Sequence, residues 1–466
     1  MAAPLPKPVA KRVYDVAVLG PDVGGAATAA LCSRRGLRAL LAPLRPVAAA
    51  RESEGWLIPA AQSILPPLRQ LSGAVAVLDE AGLGTDLQRH GGGPGSFQIL
   101  TDKLRLSLPA DVHRRRAELR RELSDAGGAE AEAALESLEG LGRAWDDFLR
   151  EPPPWPARGF LERRRVKKMI PAPPRLPEGL IADCLHALAP FVSSLPGEVA
   201  PESLAREAAA MLRSPLRVFG GAAQLAELFR QKCAAAGGDV MPDVEAEYLR
   251  IEKKGVVFQL GGSEVRAACV VLACSPEQIA AMVQGGDRAE RKIADEAALP
   301  VERKVTLAHF VVRPEGLPQA LEDAALLLGN AMGPLLLTAL PARRARGDAG
   351  GEKILTVARV CDAGFADDQG LLTSIRAALE PILPFFDRHV VHQSADVNPL
   401  QPHPILRIPD DGEPVGLRPL SAADDHVTYA SWATYPGFGL EGQILAARAA
   451  AGQALALSGR KTVSAT

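Results

Sequence analysis

The chain has 466 residues, 47% of them hydrophobic, with 53 Lys and Arg against 55 Asp and Glu. This length can bury a large core in two domains, and the near-zero balance of charge argues against a nucleic-acid partner. We expect neither a secretory signal nor a membrane-spanning segment. The six cysteines lie far apart without metal-ligand spacing, which favours buried thiols in a reduced, cytoplasmic protein.

The start of the chain has the pattern of a β-α-β unit. Strand, helix and strand signals follow one another at 13–19, 24–35 and 39–42. This order predicts parallel strands with a crossover helix, as in dinucleotide-binding domains. Gly20 and Gly25 hold the outer positions of the G-x-G-x-x-G pattern, but Asp22 holds the middle one.

The next part of the chain is predicted to contain a hairpin and a long helix. The glycine-rich stretch 91–95 precedes two strand patterns, 96–101 and 103–108, and no helix follows it as phosphate binding would require. Residues 111–150 are predicted to form a solvated helix stabilised by i,i+4 pairs of Arg and Glu.

A basic segment follows at 158–170. It combines four arginines and two lysines with apolar neighbours that include Phe160 and Leu161. This composition suits peripheral contact with an anionic membrane surface. A solvated helix with an ordinary core face explains it as well, and both interpretations stay open.

The second half of the chain predicts two sheets. A helix at 222–236 precedes strand patterns at 245–252, 255–260 and 267–273, the last of which reads as buried on both faces. A second sheet is predicted from 303–312, 353–360 and 388–394, with a helix near 368–383. A short strand at 427–430 then leads through Pro436-Gly437-Phe438-Gly439 into a last helix.

Three blocks of this sequence resemble the phytoene-desaturase-like and amine-oxidase-like FAD-dependent oxidoreductases. They lie at 15–36, 220–273 and 429–442. The resemblance implies an α/β fold with a discontinuous, doubly wound, Rossmann-like FAD/NAD(P)-binding domain and a second sheet-plus-helix cap domain that shapes the substrate channel. We assign the first domain to 12–105, 210–295 and 420–460, and the cap to 106–209 and 296–419.

The resemblance also identifies the positions at which FAD would be bound. These are Gly20, Asp22, Gly24, Gly25, Pro43, Ser431, Trp432, Gly437 and Gly439. In the family, the backbone of the last helix's N-terminus lies beside the flavin, and a Gly-Asp pair stands where this chain has Ser431-Trp432.

Four of these positions carry residues that do not suit FAD. Asp22 adds bulk and negative charge where a pyrophosphate would lie, and one like-charge pair at about 4 Å costs on the order of 4 kcal/mol. We expect Asp22 instead to cap the helix that follows it. Pro43 cannot replace the acidic residue that holds the ribose, although Glu52 and Glu54 are nearby in sequence. Trp432 could fill part of the cavity or be a core aromatic in a shifted loop.

Three functions follow as hypotheses. The first is a protein with no bound cofactor that acts as a non-catalytic structural or regulatory subunit beside a homologous flavoprotein or in a larger assembly. The second is an active FAD-dependent desaturase or dehydrogenase of an apolar substrate. The third is a module that binds a small uncharged or cationic molecule between Asp22 and Trp432.

Other chemical signals are weak. We identify no catalytic residue and no metal site, because His389 and His392 lack a third ligand nearby. No serine or cysteine has the motif of a nucleophile. Glu441 is interpreted as an acid in the first turn of the last helix, where the helix dipole favours it.

Overall fold

The computed structural model describes residues 12–44, 48–91, 95–150, 152–153, 155, 157, 159–169, 178–196, 202–241, 244–283, 286–397, 404–408 and 416–459. The strands are β1 (Arg12–Leu19), β2 (Ala39–Ala42), β3 (Ala50–Ser53), β4 (Trp56–Pro59), β5 (Ile64–Leu65), β6 (Phe97–Leu100), β7 (Arg105–Leu108), β8 (Leu216–Arg217), β9 (Asp239–Val240), β10 (Ala246–Glu252), β11 (Gly255–Leu260), β12 (Ser263–Leu272), β13 (Val301–Val312), β14 (Ala324–Leu327), β15 (Leu335–Pro341), β16 (Lys353–Asp362), β17 (Val390–Asp396), β18 (Ile405–Leu406) and β19 (Val427–Tyr429).

The helices are α1 (Val23–Arg34), α2 (Ser72–Ala81), α3 (Gly84–His90), α4 (Val112–Arg150), α5 (Phe160–Met169), α6 (Leu180–Val192), α7 (Glu202–Arg213), α8 (Gly221–Ala235), α9 (Pro276–Met282), α10 (Arg288–Ala297), α11 (Asp368–Leu379), α12 (Phe386–His389) and α13 (Gly439–Ser458). Two short 3-10 turns lie at Leu68–Gln70 and Pro314–Gly316.

The first sheet confirms the predicted β-α-β unit. Its order is β10-β11-β12-β1-β2-β9, and β19 pairs with β12. Strand β1 runs parallel to both β2 and β12, which makes it a central strand. Residues 16–19 of β1 and 269–272 of β12 are buried, as their unbroken apolar sequences predict. Helix α1 covers this sheet and packs against α8 and α13. The fold class is therefore the predicted Rossmann-type α/β class.

The second sheet is larger than the sequence predicts. Its order is β17-β13-β16-β15-β14-β6-β7, with β18 beside β13. The three predicted strands are present, but β14 and β15 were missed because their continuous leucine and alanine runs lack alternation. The hairpin of β6 and β7 belongs to this sheet through β14, although 12–105 was assigned to the first domain. The division into domains itself stays a prediction.

The segment 111–150 is a helical hairpin, so the prediction of one solvated helix was wrong. Ser124 interrupts α4 with φ 67° and ψ 170°, and the two arms fold back on each other. Arg116 therefore pairs with Glu132 and Glu136 of the opposite arm, and the buried Arg115 lies 3.7 Å from Glu139. Arg121 pairs along its own arm with Glu118 and Glu122, as predicted, whereas Arg115 and Arg116 pair across the hairpin.

Two findings concern the environment of the chain. All six cysteines are free and buried, as predicted. Among the described residues, the helices are too short or too polar to cross a bilayer.

Candidate functional site

The glycines of the α1 turn are in close contact with other parts of the protein, two of them with backbone and one with an alanine side chain. Gly20 has φ 131°, and a side chain on it would overlap the carbonyl group of Ala273. A Cβ at Gly25 would overlap the Cβ of the same alanine, at the end of β12. A Cβ at Gly24 would overlap the carbonyl oxygen of Ala430, just after β19. The three glycines therefore let α1 pack closely on the ends of β12 and β19.

We expect Gly24→Ala to destabilise the folded protein by about 1 to 3 kcal/mol, because the new methyl group meets fixed backbone and forces a shift of α1. Urea unfolding followed by circular dichroism measures this loss. The control is Gly140→Ala in α4, where an added Cβ has no heavy atom within 4 Å. This control should raise stability by about 0.5 to 1 kcal/mol, and equal effects in the two variants would contradict the packing role of Gly24.

Asp22 makes a different contact from the predicted one. It occupies the N-cap position of α1, but its side chain accepts no capping hydrogen bond from that helix. Its Oδ2 instead accepts a hydrogen bond of 2.9 Å from the backbone N–H of Trp432. The prediction of a helix cap was therefore wrong. The carboxyl group joins the start of α1 to the loop between β19 and α13.

Burial changes the charge argument for Asp22. Only 5% of the residue is exposed, and this burial raises the pKa of its carboxyl to about 7, although the Trp432 amide partly opposes the rise. Near neutral pH the group can therefore be protonated at little cost. The expected repulsion of a pyrophosphate by about 4 kcal/mol is then an overestimate. Two features still disfavour a pyrophosphate at this position: the volume of the Asp22 side chain and its hydrogen bond with the Trp432 amide.

The loop around Ser431 and Trp432 is closed by its own hydrogen bonds. Ser431 N donates to Thr434 Oγ1 (3.2 Å), and its hydroxyl accepts from Ala433 N (3.3 Å). Trp432 is 4% exposed and belongs to the buried apolar cluster that includes Leu19 and Ala42. The structure thus brings Asp22 and Trp432 together and makes the indole a core side chain.

Pro43 is buried directly after β2 and offers no side-chain hydrogen-bond group. The two nearby acids do not replace it. Glu54 Oε2 lies within hydrogen-bond distance of His392 Nδ1 of β17 (3.1 Å), and Glu52 is exposed on β3.

The N-terminus of α13 is occupied by a carboxylate that the sequence did not identify. Glu207 of α7 is buried, and its Oε1 accepts a hydrogen bond of 3.2 Å from the backbone N–H of Leu440. Gly439 has φ 49°, and a side chain there would overlap the Glu207 carboxylate. Gly437 also has a positive φ of 93°. Burial first, and then the charge of Glu441, raises the pKa of Glu207 well above its ordinary value. The sequence signal was weak, since Glu207 is one of two acids in an alanine-rich helix.

A buried ion-pair network begins at the next residue of α13, Glu441. Glu441 is in the first turn of the helix, as predicted. It also contacts two other helices, which the sequence did not predict. Its Oε2 lies 2.9 Å from Arg206 Nε, and its Oε1 accepts from Gly73 N at 2.8 Å. Arg206 also lies 2.6 Å from Asp146. Burial raises the pKa of Glu441, and the Arg206 guanidinium opposes that rise.

A small cavity lies beside these groups. Its volume is about 80 Å³, and its lining includes Gln62, Phe191, Glu207, Leu336 and Leu440. Pockets for cofactors and drug-sized ligands usually measure about 300 to 1,000 Å³. This cavity suits a few waters, and neither Asp22 nor Trp432 lines it. A cation held between those two residues therefore stays a prediction.

Protein groups occupy the positions that the resemblance assigns to FAD in this structure. The pyrophosphate position holds a buried carboxyl, the ribose position holds a proline, and a carboxylate already binds the N-terminus of α13.

The two histidines that were considered as metal ligands have other contacts. His392 is paired with Glu54, and His389 lies at the end of α12. In the part of the chain that the structure describes, no three His, Cys, Asp or Glu side chains are grouped as metal ligands would be.

Comparisons with known proteins agree with the fold. No protein-family model and no curated protein matches the sequence. The structure is similar to that of an oxidoreductase from Methanosarcina mazei, with 13% identity, 93% of this chain and 98% of the other covered, and a TM-score of 0.60.

Two amine oxidases are also similar. A double mutant of putrescine oxidase, from a redesign of cofactor binding, has 15% identity, coverage of 97% and 100%, and a TM-score of 0.59. Cyclohexylamine oxidase from Brevibacterium oxydans has 14% identity, coverage of 96% and 98%, and a TM-score of 0.58. The chain therefore has the fold of the amine-oxidase-like, FAD-dependent oxidoreductases.

Proposed function

We propose that this protein does not bind FAD and acts as a non-catalytic structural or regulatory subunit of an assembly. The observation that carries the proposal is the hydrogen bond between the Asp22 carboxyl and the Trp432 amide. It uses protein groups to close the turn at which a dinucleotide pyrophosphate would be held by bare backbone.

Two further features support the same proposal independently. Pro43 removes the acceptor for the ribose, and a rearranged α1 turn would not restore it. Glu207 satisfies a backbone N–H at the start of α13, so a flavin there would have to displace a buried carboxyl group. Because three separate contacts are replaced, one local movement cannot recover FAD binding.

The glycines of the α1 turn are consistent with a protein that has this fold without a bound cofactor. Gly20, Gly24 and Gly25 are each required by contact with protein backbone or side chain, so their presence does not depend on a bound nucleotide. We place the protein in the cytoplasm, where its free cysteines stay reduced.

We expect the purified protein to be colourless and to show no saturable binding when titrated with FAD up to about 1 mM, a limit that corresponds to about 4 kcal/mol of binding free energy. Flavin fluorescence and the visible absorption spectrum measure this. The titration should be repeated at pH 6 and pH 8, because the charge of Asp22 changes between them. Equally weak FAD binding at both pH values would show that the volume of the Asp22 side chain, and not its charge, excludes the cofactor. A protein purified with stoichiometric FAD would overturn the proposal. Substrate-dependent bleaching of that flavin would then support the alternative, an active desaturase or dehydrogenase of an apolar substrate.

A further inference from the structure

Helix α5 lies on the surface with its largest apolar side chains in solvent. Phe160 is 77% exposed and Leu161 is 80% exposed. The buried residue of this helix is Val166, at 2%. Large apolar side chains that are exposed together mark a surface that binds another molecule. Phe160 and Leu161 at the start of α5 are such a pair.

The two faces of α5 have different contacts. Val166 and Glu162 are four residues apart and lie toward the protein, where Glu162 pairs with Arg418. On the other face, Phe160, Arg164 and Lys168 follow one another at intervals of four residues. The apolar pair and the cations therefore share one exposed surface.

The charge of this surface is unbalanced. The helix has five cations and one acid, and that acid is already paired. Within the described residues, the exposed side chains Arg164, Arg165, Lys167 and Lys168 have no carboxylate partner. Four such cations beside two apolar side chains are complementary to an anionic surface with an apolar interior.

We propose that α5 is a peripheral binding site for an anionic lipid bilayer, in which Phe160 and Leu161 enter the interface and the cations contact the headgroups. Nucleic acid would use the cations but leave the apolar pair exposed. The site lies outside the cofactor region and does not depend on the proposed function. Of the segment 158–170 named from the sequence, residues 158 and 170 lie outside the described residues.

Sedimentation of the full-length protein with lipid vesicles tests this proposal. We expect binding to vesicles that contain phosphatidylserine, little binding to vesicles of phosphatidylcholine alone, and weaker binding as salt rises. Arg164→Gln together with Lys168→Gln should reduce the affinity about 25-fold, since each cation near an anionic surface contributes about fivefold. Phe160→Ser together with Leu161→Ser should reduce it at least as much without a change in charge.

The matched control is Arg291→Gln with Lys292→Gln on α10, where both side chains are exposed. This variant should bind within about twofold of the unmodified protein. Because all six substituted side chains are exposed, the circular dichroism spectra should be unchanged, which separates lost binding from lost folding. Failure to bind anionic vesicles, an equal loss in the α10 control, or binding to RNA without binding to vesicles would each overturn the proposal.

Discussion

Replacing Arg206 with alanine is expected to destabilise the folded protein by about 3 to 5 kcal/mol. The guanidinium is 3% exposed and lies 2.9 Å from Glu441 and 2.6 Å from Asp146. Its removal would leave the buried Glu441 carboxyl without its cation, which is the costly way to break a buried ion pair. Urea unfolding at pH 7 measures the loss, through the change in the unfolding midpoint and its slope.

A surface ion pair provides the control for Arg206. Arg150 lies 3.1 Å from Asp147, and both side chains are mostly exposed, so Arg150→Ala should cost less than about 1 kcal/mol. Glu441→Gln should be milder than Arg206→Ala, because the amide oxygen can still accept from Gly73 N. If Arg206→Ala lowered the free energy of unfolding no more than Arg150→Ala does, the buried ion-pair network would not contribute much to the packing of α13.

Asp22→Asn is expected to make the protein more stable than the unmodified protein at alkaline pH. The pKa of Asp22 is raised from 3.8 to about 7, so the folded state holds this proton more tightly than the unfolded state. The resulting stabilisation is complete below about pH 4 and is lost as pH rises through about 7. Over the whole window, roughly three pH units correspond to about 4 kcal/mol.

Urea unfolding of both proteins from pH 5 to pH 8 measures this effect as a difference. The stability of Asp22→Asn minus that of the unmodified protein should rise by roughly 2 to 3 kcal/mol between these values. Other buried acids, such as Glu207, titrate in both proteins and cancel in the difference. Asp102→Asn removes an exposed carboxyl and is the control for the substitution itself, and an Asp22→Asn curve that rises no more than this control would show that the Asp22 carboxyl is not buried.

The first sheet could be predicted because its signals are local. The apolar strands around α1, the glycine turn and the alanine-rich helix follow in the order that parallel pairing requires. The positive φ of Gly237, 83°, likewise follows from its place at the end of α8. The β14 and β15 strands gave no comparable signal, because a short run of leucines suits a buried strand or a buried helix equally.

The contacts of the candidate site could be predicted only in part. The sequence identified Asp22 and Trp432 as unusual, but a sequence pattern does not state which of many buried amides a carboxyl will meet 410 residues away. Glu207 was missed for the same reason, since its partner Leu440 lies on another helix. Ser124 was missed because serine rarely adopts a positive φ, so no composition signal marked the break in α4.

The pairing of β1 has a consequence for how the chain folds during synthesis. Its partner β12 ends at Leu272, and β19 and α13 follow only after residue 426. Until β12 has been made, one edge of β1 has no partner strand, and until Ala430 has been made, Gly24 of α1 lacks its backbone contact. Pairing between strands that are far apart in the sequence slows folding. Until it occurs, the unpaired strand edge can bind other chains. We therefore expect the nascent protein to need a chaperone more than its finished stability would suggest.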